Sequence, residues 1–294
     1  MTRQGRAYAF GLATVLLWST VATAFKLSLR HLDPAQLLFY SSLVSTLALG
    51  AMLAARGGLG AALRATRAQW LRSAWLGLLN PFAYYLILFK AYDLLPAQQA
   101  QPINYTWAIT LSLLAVPLLG QRIGLRDWLA AAVSYAGVVV IATRGDVLSL
   151  RFDSPLGVGL ALASTVIWAL YWIGNTREDR EPTAALFLNF LLGLPWVLAW
   201  CLAFPGLTPR GAAWPGLLGA AYVGLFEMGV TFVLWGTALK LSENTAKVGN
   251  LIFLSPFLSL VFIHWLLGEA IAPATYAGLG LIVAGLLVQR AGRG

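Results

Sequence analysis

Ten long stretches of this sequence carry little charge, and they limit what the chain can fold into. They fall at about 7–29, 35–55, 70–92, 97–119, 126–143, 155–175, 183–204, 214–239, 245–266 and 273–289. Each is near the roughly 20 apolar residues that an α-helix needs to cross a bilayer at about 1.5 Å per residue. Charged residues make up only 11% of the 294 residues, hydrophobic ones 59%, whereas soluble domains carry about 25% charge. A water-soluble globular fold is excluded, and the connectors are too short for a folded extramembrane domain. The expected fold is an all-α polytopic membrane protein with ten transmembrane helices.

The breaks between runs are chemically sensible. Asp33-Pro34 opens the second run and Glu181-Pro182 the seventh, since proline suits a first helical turn. Pro96 separates the third from the fourth. Arg3 and Arg6 followed by an apolar run and Ala22-Thr23-Ala24 imitate a secretory leader. The charge-free stretch Ala7–Phe25 outruns the roughly 7–15 residues of a leader's core, so it reads as a retained first helix.

The net charge of +9 would suggest nucleic acid in a soluble protein. Here the basic residues lie mostly in connectors, where they set topology. With a cytoplasmic N-terminus, fourteen of the 20 Lys and Arg fall inside, among them Arg3, Arg6, Arg177, Arg290, Arg293, Lys240 and Lys247. Lys26, Arg30, Lys90, Arg144, Arg151 and Arg210 fall outside. Both termini are expected in the cytoplasm, and the Arg56–Arg72 loop is the strongest anchor.

The two halves echo one another. Leu17-Trp18 matches Ile167-Trp168, Pro34-Ala35 matches Pro182-Thr183, and Leu38-Phe39 matches Leu186-Phe187. Gly77 matches Gly224, Ala91 matches Ala238, Pro102 matches Gly249, and Gly120 and Gly137 match Gly268 and Gly285. The order is constant at offsets of about 147–150 residues, so residues 1–150 and 151–294 are expected to be two five-helix repeats. Five is odd, so the second repeat enters the membrane inverted. Inverted repeats mark secondary transporters with a substrate cavity between the halves.

Polar residues inside the runs are candidates for that cavity, because charge in lipid is costly. Glu227 lies near the middle of the eighth run, and its repeat counterpart is Asn80, followed by Pro81. Glu227 can line a cavity, or be hydrogen-bonded within the bundle. Lys26, Lys90, Lys240 and Lys247 sit toward run ends and can snorkel. The fourth run opens with Gln98, Gln99, Gln101, Pro102, Asn104, Tyr105 and Trp107, too polar for a lipid-facing helix. Pro102, and Gly249-Asn250 with Pro256 in the ninth run, are expected to interrupt their helices and to gate. Tyr84 and Tyr85 in the third run join Trp18, Trp168, Tyr171 and Trp172 as candidate lining. Trp70, Trp75, Trp128 and Trp214 fit the ordinary interfacial belt. Rings and amides with few fixed charges suit a small amphipathic solute.

Other chemistries find little support. Cys201 is the one cysteine, and His31 and His264 are the only histidines, too few and too scattered for a zinc site. An intramembrane lipid-modifying enzyme needs a nucleophile with a base, or a metal, and His264 has no evident partner motif. No catalytic residue, metal or cofactor is expected. The small residues of the fifth and tenth runs, from Ala130 to Gly137 and Ala277 to Gly285, read as scaffold or dimer contact.

The five-plus-five repeat, Leu17-Trp18-Ser19-Thr20, and Leu254-Ser255-Pro256 leading to Gly268-Glu269 resemble the drug/metabolite transporter superfamily in its ten-helix EamA-type branch. Asn104-Tyr105-Thr106-Trp107 with Ile167-Trp168-Ala169 resembles the bacterial YddG aromatic amino-acid exporters. The resemblance covers the whole chain. It implies a basket of inner-membrane helices around a central cavity lined by Tyr105, Trp107 and Trp168, exporting amino acids by alternating access as a monomer or homodimer. Two departures stand out. Gln121 stands where the second half has Glu269, and the first run lacks the glutamate that four-helix multidrug exporters use. Another solute, such as a cationic drug, a sugar or a nucleotide conjugate, is the alternative; the last would need several cavity cations, and only Lys90 and Lys247 are near.

Overall fold

A computed structural model of the chain describes residues 2–149, 151–176, 178–209, 213–242 and 248–291. Eight helices among them are long and apolar enough to cross a membrane. They are α1 Arg3–Leu29, α2 Pro34–Ala55, α3 Arg67–Leu94, α4 Ala97–Leu119, α5 Leu125–Ala142, α6 Pro155–Asn175, α7 Pro182–Ala203 and α8 Ala213–Leu241. Two shorter apolar helices, α9 Leu251–Leu267 and α10 Pro273–Gln289, complete the ten. The predicted start of the ninth run at 245, Lys247, Arg177, Arg210, Arg293 and the Asn250 side chain lie outside the described residues.

Helix starts follow local chemistry. Asp33 accepts the Ala35 N–H and Gln36 reaches back to the Asp33 N–H, closing a capping box ahead of Pro34. Glu181 does the corresponding work for α7 by accepting the Ala184 N–H at 2.8 Å. Thr66 and Gln69 form another capping box, which starts α3 at Arg67, earlier than the apolar pattern alone suggests. Gly120 and Gly268 end α4 and α9 with left-handed φ of 65° and 71°, a region glycine enters without penalty.

Four spans are interrupted. In α3, the regular helix stops at Gly77 and resumes at Tyr84, across a π-helical turn Leu78–Ala83 that holds Pro81 and the non-helical Asn80. In α8 it stops at Phe226 and resumes at Val230, leaving Glu227, Met228 and Gly229 in the gap. These two breaks fall where the repeat pairs Asn80 with Glu227, although the sequence pattern points to α4 and α9 instead. Those two are interrupted as well. Pro102, however, stays inside the helical stretch Ala97–Asn104, and α4 breaks three residues later at Tyr105 and Thr106. The Thr106 N–H and hydroxyl both turn back to the Ile103 carbonyl, at 3.1 and 2.8 Å, which ends the regular ladder there. In α9, Gly249 precedes a 3-10 stretch Asn250–Leu254, and Pro256 occupies the first turn of the helix Ser255–Phe262. A π turn Ile263–Leu267 ends α9.

Packing gathers the chain into two units, each drawing helices from both sequence halves: Met1–Phe82 with Glu178–Leu267, and Ala83–Arg177 with Gly268–Gly294. In the first unit, Gly77 of α3 lies against the backbone of α7 at Asn189 and Gly193. A Cβ on Gly193 would stand 2.7 Å from the Gly77 carbonyl. Gly224 of α8 meets the Ser41 carbonyl of α2 in the same way. In the second unit, Gly137 of α5 and Gly278 of α10 each sit where a Cβ would come within 2.5 Å of the other's carbonyl. The small residues of these two helices thus serve close approach within the chain.

Several hydroxyls inside the spans bond to their own helix backbone. Thr14, Ser19, Ser28 and Thr46 donate to the carbonyls four residues before them. Trp75, Trp128 and Trp214 are 57–67% exposed, as an outward belt would be. Trp70 departs from that group: it packs on the cluster of Leu49, Leu53, Ala62, Phe187 and Leu188.

Candidate functional site

The predicted aromatic and amide residues divide between the two units. Tyr84, Tyr85, Gln101, Pro102, Asn104, Tyr105, Trp107, Trp168 and Trp172 fall in the second; Trp18, Asn80, Glu227, Gly249 and Pro256 fall in the first.

In the second unit, α4 is held at its N-terminus by the far end of the sequence. Glu269 accepts the N–H groups of Ala97 at 2.9 Å and Gln98 at 3.2 Å, two of the donors that a helix start leaves orphaned. A carboxylate there also suits the helix dipole. Gln98 adds three bonds: its amide nitrogen donates to the Ala270 carbonyl at 2.9 Å, and its oxygen accepts from the Ala272 N–H and the Thr275 hydroxyl. Gln98 is therefore a structural clamp. Gln99 reaches Asp153 at 3.4 Å. Gln101, next along, is buried with its Oε1 unpartnered among the described residues.

Beyond that clamp the aromatic side chains converge. Tyr84 stacks on Trp168, with ring centroids 4.4 Å apart and planes 27° apart. Trp107 meets Trp168 edge-on at 6.4 Å and lies nearly parallel to Trp172 at 6.5 Å. Tyr171 lies against Trp168 at 5.4 Å. Asn104 ties the cluster together: its oxygen accepts from the Tyr84 hydroxyl at 3.3 Å and its nitrogen donates to Ser164 at 3.0 Å. Gln101 Oε1, Trp172 Nε1 and Asn175 Oδ1 are buried polar atoms without partners among the described residues. They amount to two acceptors and a donor.

The cluster is largely closed. Tyr84, Trp168 and Tyr171 are only 4–7% exposed, and Tyr85 is fully buried between Tyr84 and Phe89, at 4.7 and 5.4 Å. Asn104, Tyr105, Trp107 and Trp172 are half-buried, Tyr105 at the break in α4. The sequence reading missed Ser164, and with it a polar layer in which Thr110 bonds Tyr135 at 2.8 Å and Thr165 at 3.0 Å. Ser164 stands four residues before Trp168 and shares its helix face, so the spacing held the signal.

The first unit carries a sparser echo. Trp18 packs on Phe232 at 5.7 Å and Trp235 at 5.8 Å. Thr20 and Tyr222 share a 2.6 Å hydrogen bond, and Ser19 reaches Ser255 at 3.4 Å. At the α8 break, Ser45 donates to the Met228 carbonyl at 3.1 Å and Thr231 donates to Phe226. Half-buried Glu227 sits in that gap. Asn80, in the α3 break, is 1% exposed, and its Oδ1 has no partner among the described residues. Among the described residues no group of His, Cys, Asp and Glu could hold a metal ion. Lys90 pairs with Asp93 at 2.6 Å.

The EamA-like transporter family model matches this chain twice, over residues 5–143 and 155–289. The chain belongs to the EamA-like transporter family. It is a multi-pass membrane transporter and not an enzyme. It is 28% identical to the aromatic amino acid exporter YddG of Ancylobacter novellus, across 96% of both chains. It is 26% identical to a "Probable terminal-alkyne amino-acid exporter" of Streptantibioticus cattleyicolor, across 94% of this chain and 90% of that one. The uncharacterized inner membrane transporter YhbE of Escherichia coli is 20% identical over 98% of this chain and 92% of its own. A solved crystal structure superposes with a TM-score of 0.67 at 25% identity, covering 96% of each chain.

Proposed function

We propose that this EamA transporter exports amino acids, aromatic ones among them, across the bacterial cytoplasmic membrane by alternating access, with both termini cytoplasmic and residues 1–150 and 151–294 as inverted repeats. The observation that carries this reading is the Tyr84–Trp168 stack beside Asn104. Aromatic faces favour an aromatic or apolar side chain and an adjacent ammonium. The unpartnered Gln101 and Asn175 oxygens are acceptors for an ammonium, and Trp172 Nε1 is a donor for a carboxylate. Two relatives named as exporters, one of aromatic amino acids and one of a terminal-alkyne amino acid, support the same substrate class.

On this reading Trp107, Trp168, Trp172, Tyr105, Gln101 and Asn104 touch substrate, while Gln98 and Glu269 set the position of α4. The α3 and α8 breaks supply hinges, and Glu227 is the one carboxylate at a hinge. A nucleotide conjugate fits poorly, since the cluster offers rings and amides, and Lys90 of the same unit is paired with Asp93. The test is counterflow in proteoliposomes with a panel of amino acids, sugars and cationic dyes. Exchange of amino acids by the wild type, reduced in Trp168→Ala and Tyr105→Ala at equal insertion, supports the assignment; wild-type exchange in both variants removes it.

A further inference from the structure

We infer that the first unit holds a binding site for the headgroup phosphate of an anionic phospholipid. It lies between the last turn of α2, the first turn of α7 and the loop between α2 and α3. A pocket of about 410 Å³ opens there, walled by Leu53, Ala61, Ala62 and Ala184 and ringed by Arg56, Arg64 and Arg180.

Two of the three guanidiniums carry charge that no carboxylate pairs among the described residues. Arg180 is the paired one and is held in place: its Nε donates to Glu178 at 2.7 Å, and its Nη2 donates to the other Glu178 oxygen and to Ser73. Its side chain is only 10% exposed, and its Nη1 has no acceptor among the described residues. Glu181, the carboxylate in the lining, caps its own helix, accepting the Thr183 hydroxyl and the Ala184 N–H, and pairs with none of the three arginines. Arg56 and Arg64 are exposed and enter no ion pair among the described residues. Exposed guanidiniums around a buried one form a multidentate phosphate site, for which the planar fork is well suited.

The apolar half of the pocket selects the source of that phosphate. Leu53 and Ala184 belong to spanning helices, at the turns where α2 ends and α7 begins, so the pocket sits at the depth where a headgroup meets its acyl chains. A free phosphate would use the arginines and leave the walls of Leu53, Ala61 and Ala62 wet. A phospholipid uses both. The site shares no residue with the aromatic cluster and does not rest on the amino-acid reading.

The test uses the full-length purified protein and native mass spectrometry. Phosphatidylglycerol and phosphatidylcholine are titrated in turn, and inorganic phosphate is then added as a competitor. The variants are Arg56→Gln/Arg64→Gln and, as a control of the same kind elsewhere, Arg6→Gln. Each basic residue near an anionic surface contributes about 1 kcal/mol, or about fivefold. The double variant should lose phosphatidylglycerol affinity on the order of twentyfold, while Arg6→Gln and phosphatidylcholine binding stay unchanged. Both replaced arginines are exposed, so melting without added lipid should not move and will report any misfolding separately. Equal phosphatidylglycerol affinity in the double variant overturns the site. Displacement of the lipid by millimolar inorganic phosphate overturns the lipid assignment.

Discussion

Glu269 Oε1 accepts the Ala97 N–H at 2.9 Å, joining the turn before α10 to the start of α4 across 172 residues of sequence. The bond fixes where α4 begins, and so where Gln101, Asn104 and Trp107 stand along it. Removing an N-terminal cap costs about 0.5–2 kcal/mol. Glu269→Ala should therefore lower the melting temperature in detergent, and Glu269→Gln, which keeps one acceptor oxygen, should recover part of the loss. Identical melting for Glu269→Ala and wild type would show that α4 is held by Gln98 alone.

The glycine contacts give a second prediction. Gly224→Ala would drive a methyl into the Ser41 carbonyl, and Gly77→Ala would drive one into the backbone of α7. Overpacking of this kind costs about 1–3 kcal/mol. Both variants should show reduced yield and melting temperature, whereas Gly236→Ala, where a Cβ meets nothing within 4 Å, should behave as wild type. Equal tolerance at Gly224 and Gly236 would contradict the close packing of α8 on α2.

Glu178 supplies a pH dependence. Its hydrogen bond from Arg180 holds the carboxyl below the ordinary carboxylate range, against an opposing push from burial. A lowered pKa means that the ionised form stabilises the fold above the unfolded-state value, and that this contribution disappears as pH falls through the folded value. Wild type should thus lose melting temperature on acidification below about pH 4, the unperturbed glutamate range. Glu178→Gln should begin less stable and flatten that acid limb. An unchanged slope would mean that the Glu178–Arg180 pair forms in the unfolded chain too.

Much of the fold was readable in the sequence because spanning helices share one length scale and one composition. The interruptions were harder to read. Pro102 looks like a helix breaker, yet α4 carries it and breaks at Thr106, whose own hydroxyl competes for the Ile103 carbonyl. The α8 gap has only Gly229 to announce it, and the freed carbonyls are satisfied by Ser45 and Thr231, one of them far off in sequence. Asn104 and Trp168 stand out as polar or aromatic residues in apolar runs. Their partner Ser164 does not, because serine is common inside these helices. Gln98 and Gln101 look alike in sequence and differ in role, since only tertiary contact shows that Gln98 is consumed by the loop before α10.

The bridge of Asn104 between Tyr84 and Ser164 can be tested by a near-isosteric change. Asn104→Leu removes both hydrogen bonds and leaves the Tyr84 hydroxyl and Ser164 to find other partners. Leaving buried polar groups unsatisfied costs about 1–3 kcal/mol. Exchange by Asn104→Leu should fall about tenfold, with normal insertion. Tyr84→Phe, which keeps the ring and its stack on Trp168, should retain more activity than Asn104→Leu. The reverse order would place the weight on the tyrosine hydroxyl instead.

The most direct test of the central claim is counterflow of a labelled aromatic amino acid into proteoliposomes, comparing wild type with Trp168→Ala. An aromatic pair contributes about 0.5–1.5 kcal/mol beyond area burial, so losing the indole should cut exchange up to about tenfold. The account predicts wild-type exchange that unlabelled aromatic amino acids compete away, and a Trp168→Ala rate reduced by up to about tenfold. Wild-type protein that exchanges a sugar or cationic dye but no amino acid, or a Trp168→Ala variant that exchanges at the wild-type rate, would contradict it.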